Sequence, residues 1–204
     1  MNAPATFIDL VRHGECEGGF AFRGSTDVSL TDIGFAQMRT AVAKLNQTWD
    51  QVVSSPLKRC RFFAETYCKQ QHLPLAFEPR LRELHFGVWE GKKIEDIWAD
   101  DAERMQAWAD NPEQNAPPEG ETLASAAARI TEALDQLRDS HAGKRVLVVC
   151  HGGVVRVALS QLLAMPLAVC NRFDVPYGCV TRLGFYPTEQ GTKIKLLAHN
   201  VGSV

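Results

Sequence analysis

The sequence is poor in the features that mark metal-binding, disulfide-bonded and membrane-spanning proteins. Its six cysteines form no C-x-x-C pair, so they match neither the spacing of a zinc site nor a disulfide framework. No apolar stretch is long enough to cross a bilayer. The opening residues Met1-Asn2-Ala3-Pro4 lack the basic segment of a secretory signal. We therefore expect a cytoplasmic protein with reduced thiols and no metal.

A large excess of one charge is missing as well. The net charge is −2 in a chain of 204 residues, which gives no reason to expect nucleic acid or a membrane as a partner. The hydrophobic content of 45% is ordinary for a globular protein. A chain of this length can bury one sizeable core. The sequence predicts a single domain over residues 1–204 and leaves the oligomeric state open.

Strand and helix patterns alternate along the chain. Short apolar runs typical of strands occur at 7–11, 51–54, 146–149, 179–185 and 193–198. Apolar residues recur at helical spacing within 35–45, 57–67, 123–137 and 155–162. Thr31 is a candidate N-cap of the first helix, and Ser55-Pro56 a candidate start of the second. This alternation predicts an α/β fold, a three-layer αβα sandwich with a mainly parallel central sheet.

Two of the predicted strands end in the same way. Arg12-His13-Gly14 follows the first run, and His151-Gly152-Gly153 follows the run at 146–149. Ligands of open α/β sheets bind at the carboxyl ends of the strands. The two histidines are therefore expected to contribute to one site, although His151 alone could equally be a helix cap or a core residue.

Arg59 falls in the first turn of the helix predicted to begin at Ser55-Pro56. Helix N-termini attract anions through free N–H groups and the helix dipole. The planar guanidinium adds a fork that suits phosphate. A single arginine is more often a surface residue, but with Arg12 and the two histidines it would complete a pocket for a phosphate.

Six segments in the same order resemble those of the histidine phosphatase superfamily, also called phosphoglycerate mutase-like. They are 12–15 (Arg-His-Gly-Glu), 24–34 (Gly-x-x-Asp-x-x-Leu-Thr-x-x-Gly), 54–59, 81–91, 118–122 and 151–152. One Arg-His-Gly triplet would be weak evidence. Six such segments in the family's order, spread over most of the chain, make the resemblance to this family specific.

The resemblance implies a metal-independent phosphatase without a cofactor, acting through a phosphohistidine. His13 would attack phosphorus with one ring nitrogen while the other donates to a carbonyl. Glu83 would protonate the leaving oxygen and then activate water. The implied catalytic residues are Arg12, His13, Arg59, Glu83 and His151. The implied substrate-binding residues are Arg12, Arg23, Gly24, Arg59, His151 and Gly152.

The early loop departs from the family pattern. Many members carry Thr or Ser after Arg-His-Gly-Glu and an Asn a few residues later, whereas this chain has Cys16 and Gly18-Gly19. Cys16 is interpreted as a small apolar filler, or as a thiol that faces substrate. Glu90 and Glu121 are the alternatives to Glu83 as the acid.

Two rival functions remain at this point. Cys150 and Arg156 fit the C-x5-R pattern of cysteine-dependent phosphatases. Against this, Val149 and Val157 replace the flanking residues usual there. The second rival is a phosphate-binding module without turnover, which would have little use for Glu83.

The substrate is predicted to be a small phosphomonoester. Length and the 24–34 segment are most similar to α-ribazole phosphatases of cobalamin assembly, with a broad-specificity sugar or nucleotide phosphatase or a phosphoglycerate mutase as alternatives. Residues 92–118 are predicted to form a cap over the site. Within them, apolar residues recur near helical spacing at Ile94, Ile97, Trp98, Met105 and Trp108, and one Trp could stack on a substrate ring.

Overall fold

The computed structural model describes residues 4–19 and 21–201. Residues 1–3, 20 and 202–204 belong to the predicted domain 1–204 but lie outside the described residues. The strands are β1 (Thr6–Arg12), β2 (Gln51–Ser54), β3 (Leu75–Phe77), β4 (Arg145–Cys150), β5 (Val180–Thr188) and β6 (Gly191–Val201). The α-helices are α1 (Asp32–Lys44), α2 (Lys58–Gln71), α3 (Ile94–Asp100), α4 (Ala102–Asp110), α5 (Leu123–Ser140) and α6 (Gly152–Leu162). Short 3₁₀ helices cover Pro79–Leu81, Gly87–Trp89 and Leu167–Arg172.

One sheet holds the six strands in the order β3-β2-β4-β1-β5-β6. The first four are parallel neighbours, whereas β5 pairs antiparallel with β1, and β6 pairs antiparallel with β5. Residues of α5 and α6 pack on one face of the sheet, and residues of α1 and α2 pack on the other. The central strands are apolar on both sides because both of their faces are covered. The predicted αβα sandwich with a mainly parallel sheet is confirmed.

Thr31 caps α1 as predicted, because its Oγ1 accepts a hydrogen bond from Gly34 N at 3.0 Å. The start predicted for α2 is wrong. The helix begins at Lys58, because Ser55 N still pairs with Val149 O at 2.9 Å and keeps the chain extended beside β4. Asp27 caps α2 instead, with Oδ1 accepting from Lys58 N at 2.7 Å. A cap so distant in sequence leaves no local pattern.

Other elements differ from the prediction in extent. β3, a three-residue strand at the edge of the sheet, was not predicted. The apolar residues between Ile94 and Trp108 belong to two helices that meet at Asp101. Residues 111–121 contain no helix or strand. Within the described residues, no helix has the length and apolarity needed to cross a membrane.

Candidate active site

The two predicted histidines lie side by side at one edge of the sheet. In the parallel β1–β4 pair Arg12 is opposite Cys150, so His13 and His151 directly follow the last paired residues. His13 N donates to Cys150 O at 2.9 Å, and the two imidazole centroids are 5.3 Å apart. The parallel register therefore brings together two residues 138 positions apart in sequence.

The surroundings of His13 fix its tautomer. Its Nδ1 lies 2.8 Å from Gly14 O, so Nδ1–H donates to that carbonyl and Nε2 keeps a free lone pair. The carbonyl contact expected from the sequence is confirmed. Burial, and then the charges of Arg59 and Arg12, hold the pKa of His13 well below 6.5. The imidazole is therefore neutral at physiological pH and able to act as a nucleophile.

Gly14 is required by the close approach of the β1 end to α1. A Cβ on Gly14 would lie 2.0 Å from Gly34 O, closer than any side chain can approach a backbone atom. Gly14 and Gly34, which belong to two of the recognised motifs, are therefore in close contact. This contact holds the end of β1 against the start of α1.

Arg59 is the second residue of α2 and is fully buried. Its Nε donates to His151 Nδ1 at 3.2 Å, Nη1 to Thr26 O at 2.9 Å, and Nη2 to Gly24 O at 2.7 Å. A guanidinium has five N–H donors, so two remain for a ligand in the cavity that Arg59 lines. Because Asp27 caps the same helix, the 24–27 loop and α2 hold each other in place.

His151 occupies the N-cap position of α6 but does not cap it with its side chain. Since its Nδ1 accepts from Arg59, its Nε2 carries the proton and donates to Ser55 Oγ at 2.7 Å. Burial, and then the charge of Arg59, hold the pKa of His151 well below 6.5. Although predicted to bind substrate, His151 is not among the residues that line the cavity. It lies behind Arg59.

Arg12 also lines the cavity. Its guanidinium carbon lies 4.3 Å from the centre of the Tyr177 ring, and its Nη1 donates to Val175 O at 2.5 Å. Its buried Nε has no hydrogen-bond partner among the described residues. An unpaired buried donor costs about 1–3 kcal/mol.

Glu83 is the one carboxylate among the residues that line the cavity in the described part of the chain. Its Oε2 accepts from Gly153 N at 3.3 Å, at the N-terminus of α6. A Cβ on Gly153 would lie 2.5 Å from Glu83 Oε1. Gly153 therefore leaves the space into which the carboxylate fits, a role that the sequence analysis did not assign to it.

The two alternative acids have other partners. Glu90 accepts hydrogen bonds from Ser25 and Phe86, which lower its pKa on balance although burial by itself would raise it. Glu121 forms a two-pronged ion pair with Arg129 at 2.7 Å. Neither carboxylate lines the cavity. The geometry favours Glu83.

The structure places Arg23 and Gly24 on the cavity wall, as it does Gly152. Arg23 is also committed to the early loop, since its Nη2 donates to the carbonyls of Cys16, Glu17 and Gly19. Gly24 has a φ of 47°, and a Cβ there would lie 2.0 Å from Glu90 Oε1. Only glycine fits this turn, whose carbonyl holds Arg59.

Two cysteines singled out in the sequence are buried. The Sγ of Cys16 lies 3.4 Å from both His13 Nδ1 and Gly14 O. Burial raises its pKa, so the thiol is a weak donor packed behind the nucleophile. Cys150 is fully buried in β4, does not line the cavity, and has a pKa that burial raises well above 9.0. The geometry gives no support to the cysteine-nucleophile rival.

The cavity has a volume of about 330 Å³ and two unlike walls. One wall is apolar and consists of Phe22, Phe86, Ile94, Met105, Trp108 and Leu123. The other carries polar groups from Arg156, Asn171 and Tyr177. The predicted cap residues have different environments. Trp108 lines the cavity, whereas Ile97 is buried in the core. Trp98 is 38% exposed and does not line the cavity.

Several residues that support the site were not predicted to do so. Ser55 was interpreted as a helix cap and is instead the partner of His151. Asp27 belonged to a recognised motif, but nothing local indicated that it caps α2. Arg156 belonged to the C-x5-R pattern and in fact lines the cavity, with Nε bound to Phe173 O at 3.0 Å.

The chain matches the family model of the histidine phosphatase superfamily (branch 1) over residues 8–199. It is 32% identical over 173 residues to the adenosylcobalamin/alpha-ribazole phosphatase of Salmonella typhimurium, covering 83% of this chain and 86% of that protein. It is 33% identical over 181 residues to a probable phosphoglycerate mutase of Yersinia pestis, covering 87% and 84%.

Solved structures agree over nearly the whole chain. A mycobacterial glucosyl-3-phosphoglycerate phosphatase superposes with a TM-score of 0.86 at 26% identity, covering 97% of this chain and 99% of that one. The alpha-ribazole phosphatase of Shigella flexneri gives a TM-score of 0.78 at 25% identity, covering 97% and 98%.

Proposed function

Because the chain belongs to the histidine phosphatase superfamily, whose members are metal-independent phosphomonoester hydrolases, we propose that it hydrolyses a small phosphorylated metabolite through a phosphohistidine on His13. The observation that carries the proposal is the neutral His13, whose Nδ1–H binds Gly14 O and leaves Nε2 free, in a cavity that Arg12 and Arg59 also line. A nucleophile and two guanidinium groups that line one cavity are what phosphoryl transfer requires.

In the first step, His13 Nε2 attacks phosphorus and the bond from phosphorus to the substrate oxygen breaks. Arg12 and the two free N–H groups of Arg59 stabilise the charge on the phosphoryl oxygens. Glu83 gives its proton to the leaving oxygen, so the alcohol departs neutral. The products are an alcohol, a phosphohistidine and an ionised Glu83.

In the second step, Glu83 accepts a proton from water as the water oxygen attacks phosphorus. The bond between phosphorus and Nε2 breaks, which releases inorganic phosphate and restores His13 and the protonated Glu83. His151 holds the Arg59 fork through Nδ1. A direct contact of His151 with phosphate, as the family resemblance implies, requires its Nε2–H to turn away from Ser55.

Arg23, Gly24 and Gly152 complete the proposed substrate-binding set. All three line the cavity. Gly24 acts through its carbonyl on Arg59, and Arg23 holds the 16–19 loop beside His13. We propose residues 92–118 as the cap of a single domain 1–204, because Ile94, Met105 and Trp108 close one side of the cavity.

The proposed substrate is α-ribazole 5′-phosphate. Two observations support it: the similarity to the Salmonella phosphatase, and the aromatic wall, which suits a flat apolar base more than a polyol. We also propose a cytoplasmic location, since all six cysteines are buried free thiols and such proteins predominate in reducing compartments.

A second candidate is a phosphorylated glycerate. It is favoured by Arg156, which lines the cavity and uses its Nε for Phe173 O, so its two terminal nitrogens could bind a carboxylate. Relatives named as a glucosyl-3-phosphoglycerate phosphatase and a probable phosphoglycerate mutase are consistent with it.

The experiment is phosphate release with EDTA present from α-ribazole 5′-phosphate, 3-phosphoglycerate and glycerol 3-phosphate, which lacks the carboxylate. We expect the highest kcat/KM for the ribazole ester. Trp108→Leu should then raise its KM about tenfold by removing aromatic contact, with little effect on glycerol 3-phosphate. Trp98→Leu, in the same cap but outside the cavity lining, is the matched control.

A higher kcat/KM for 3-phosphoglycerate, lost in Arg156→Met, would select the second candidate. If none of the three esters were hydrolysed while the protein still bound phosphate, the rival interpretation as a phosphate-binding module without turnover would be supported.

A further inference from the structure

Glu83 belongs to a segment without strand or α-helix. Between β3 and α3 the chain forms only the 3₁₀ turns Pro79–Leu81 and Gly87–Trp89. Segments with few regular backbone hydrogen bonds are those that move most easily. A general acid must nevertheless stay within hydrogen-bond reach of the oxygen that it protonates. Contacts from another part of the protein must therefore fix this segment.

Arg129 provides such contacts from α5. Its Nη1 donates to Arg80 O at 2.6 Å and to Arg82 O at 2.7 Å. Its Nη2 donates to the carbonyl of Glu83 itself at 3.3 Å. The next residue along the helix, Ile130, is fully buried in the core. One side chain on a firmly packed helix thus holds three carbonyls of the segment that leads to the acid.

Glu121 keeps the Arg129 fork in place. Nε and Nη2 of Arg129 each lie 2.7 Å from a Glu121 oxygen. Together with the three carbonyls, these contacts use all five donors of the guanidinium. Glu121 also holds the far side of the acid, since its N donates to His85 O at 2.8 Å and its Oε2 accepts from His85 N at 3.4 Å. Glu83 is therefore held from both sides along the chain.

We propose that Arg129 is the positioning residue of the general acid: by fixing the backbone on either side of Glu83, directly and through Glu121, it keeps the carboxylate against the N-terminus of α6. The inference rests on the proposed role of Glu83. It requires the planar fork, because a lysine at this position has the charge but cannot bind the carboxylate and three carbonyls together.

The test is a double-mutant cycle of Arg129→Met and Glu83→Gln, followed by single-turnover rates on two substrates. p-Nitrophenyl phosphate has a good leaving group and needs little protonation, whereas glycerol 3-phosphate needs the acid. Loss of a general acid costs about 10²–10⁴-fold, so we expect Glu83→Gln to slow the glycerol ester by about 10²-fold or more and the aryl ester by much less.

Arg129→Met should reproduce this selectivity in weaker form. We expect glycerol 3-phosphate to slow by about 10- to 100-fold, since misplacing a catalytic group by about 1 Å has effects of this size. In the Glu83→Gln background the same substitution should cause no further selective loss, because residues acting through one group are not additive.

Arg138→Met is the matched control. Arg138 lies on the same helix and pairs with Asp135 and Asp139, away from the Glu83 segment, so both rates should stay as in the wild type. Circular dichroism verifies folding. If Arg129→Met does not fold, Arg129→Lys takes its place, with the same selective loss expected.

Two results would overturn the inference, and they differ. If the Arg129 variant slowed both esters equally while Glu83→Gln slowed only the glycerol ester, Arg129 would have a structural role only. The proposed role of Glu83 as the general acid would then be retained. Equal slowing by Glu83→Gln itself would overturn the proposed role of Glu83, and the inference with it.

Discussion

The two sides of the cavity are held by different kinds of contact. On the phosphate-binding side, His13 and His151 directly follow β1 and β4, and Arg59 opens the helix after β2. Parallel pairing of β1, β4 and β2 fixes the three strand ends relative to one another. The positions of these residues therefore follow from the backbone of the sheet.

The segment that carries the acid has no strand pairing to support it. Glu83 is held by side-chain contacts from α5 and by the amide of Gly153. The comparison teaches that strand pairing places the residues at strand ends, whereas side-chain contacts, above all those of Arg129, place a residue on an irregular segment. Substitutions on the two sides should accordingly differ in kind.

The largest effect is expected from His13→Ala on the phosphate-binding side. Removing the nucleophile should lower kcat by about 10⁴-fold or more on every phosphomonoester, whatever its leaving group, while the fold is retained. Steady-state phosphate release measures it. Cys150→Ala is the control and should stay within tenfold of wild type. Full loss there, with His13→Ala active, would instead identify Cys150 as the nucleophile.

On the side that carries the acid, Gly153→Ala should impair the action of Glu83 without preventing folding. The added Cβ would lie 2.5 Å from Glu83 Oε1, the end of a flexible side chain, so the carboxylate moves and the protein folds. We expect a selective loss of about 10-fold on alkyl phosphates, measured against p-nitrophenyl phosphate. Gly14→Ala should behave differently and prevent folding, because its Cβ meets rigid backbone at Gly34. If Gly14→Ala folded and lost no more activity than Gly153→Ala, the predicted difference between the two sides would be wrong.

The two buried histidines predict a pH dependence of stability. Their pKa values are held well below 6.5, first by burial. Below about pH 6.5 the unfolded chain therefore binds protons that the folded protein does not, and the free energy of unfolding falls as the pH falls. The slope is about 1.4 kcal/mol per pH unit for each histidine that stays neutral.

Urea denaturation at pH 7.5, 6.5 and 5.5 measures that slope. His151→Gln should reduce it, whereas His72→Asn, at an exposed helix end, should not. An unchanged slope in His151→Gln would contradict the assigned cause.

The smallest effect is expected from Asp27→Ala. Loss of the distant cap on α2 should lower the free energy of unfolding by about 1 kcal/mol. KM should rise a few-fold and equally for alkyl and aryl esters, because Arg59 binds the phosphate common to both. Asp27→Asn keeps a capping oxygen and should restore both quantities. If Asp27→Ala affected alkyl and aryl esters unequally, the two sides of the cavity would not act independently, contrary to this prediction.

The fold and one side of the site could be predicted from the sequence because they depend on local patterns. Short apolar runs and helical spacings predicted the layers, and Arg12, His13 and His151 were identified as candidates because they directly follow apolar runs. Arg59 was also placed in the correct helical turn, although the start of α2 was wrong. Its cap comes from Asp27 in another loop, and a contact between distant residues has no local signal.

The sequence by itself determined the αβα architecture, the family and the identity of the chemical groups. Only the tertiary structure decided which carboxylate reaches the cavity, that Ser55 binds His151 and that Arg129 holds the acid segment. The physical reason is that spacing along the chain encodes which face of an element is apolar. The partners of a side chain on an irregular segment depend on how the elements pack, which no spacing within the segment records.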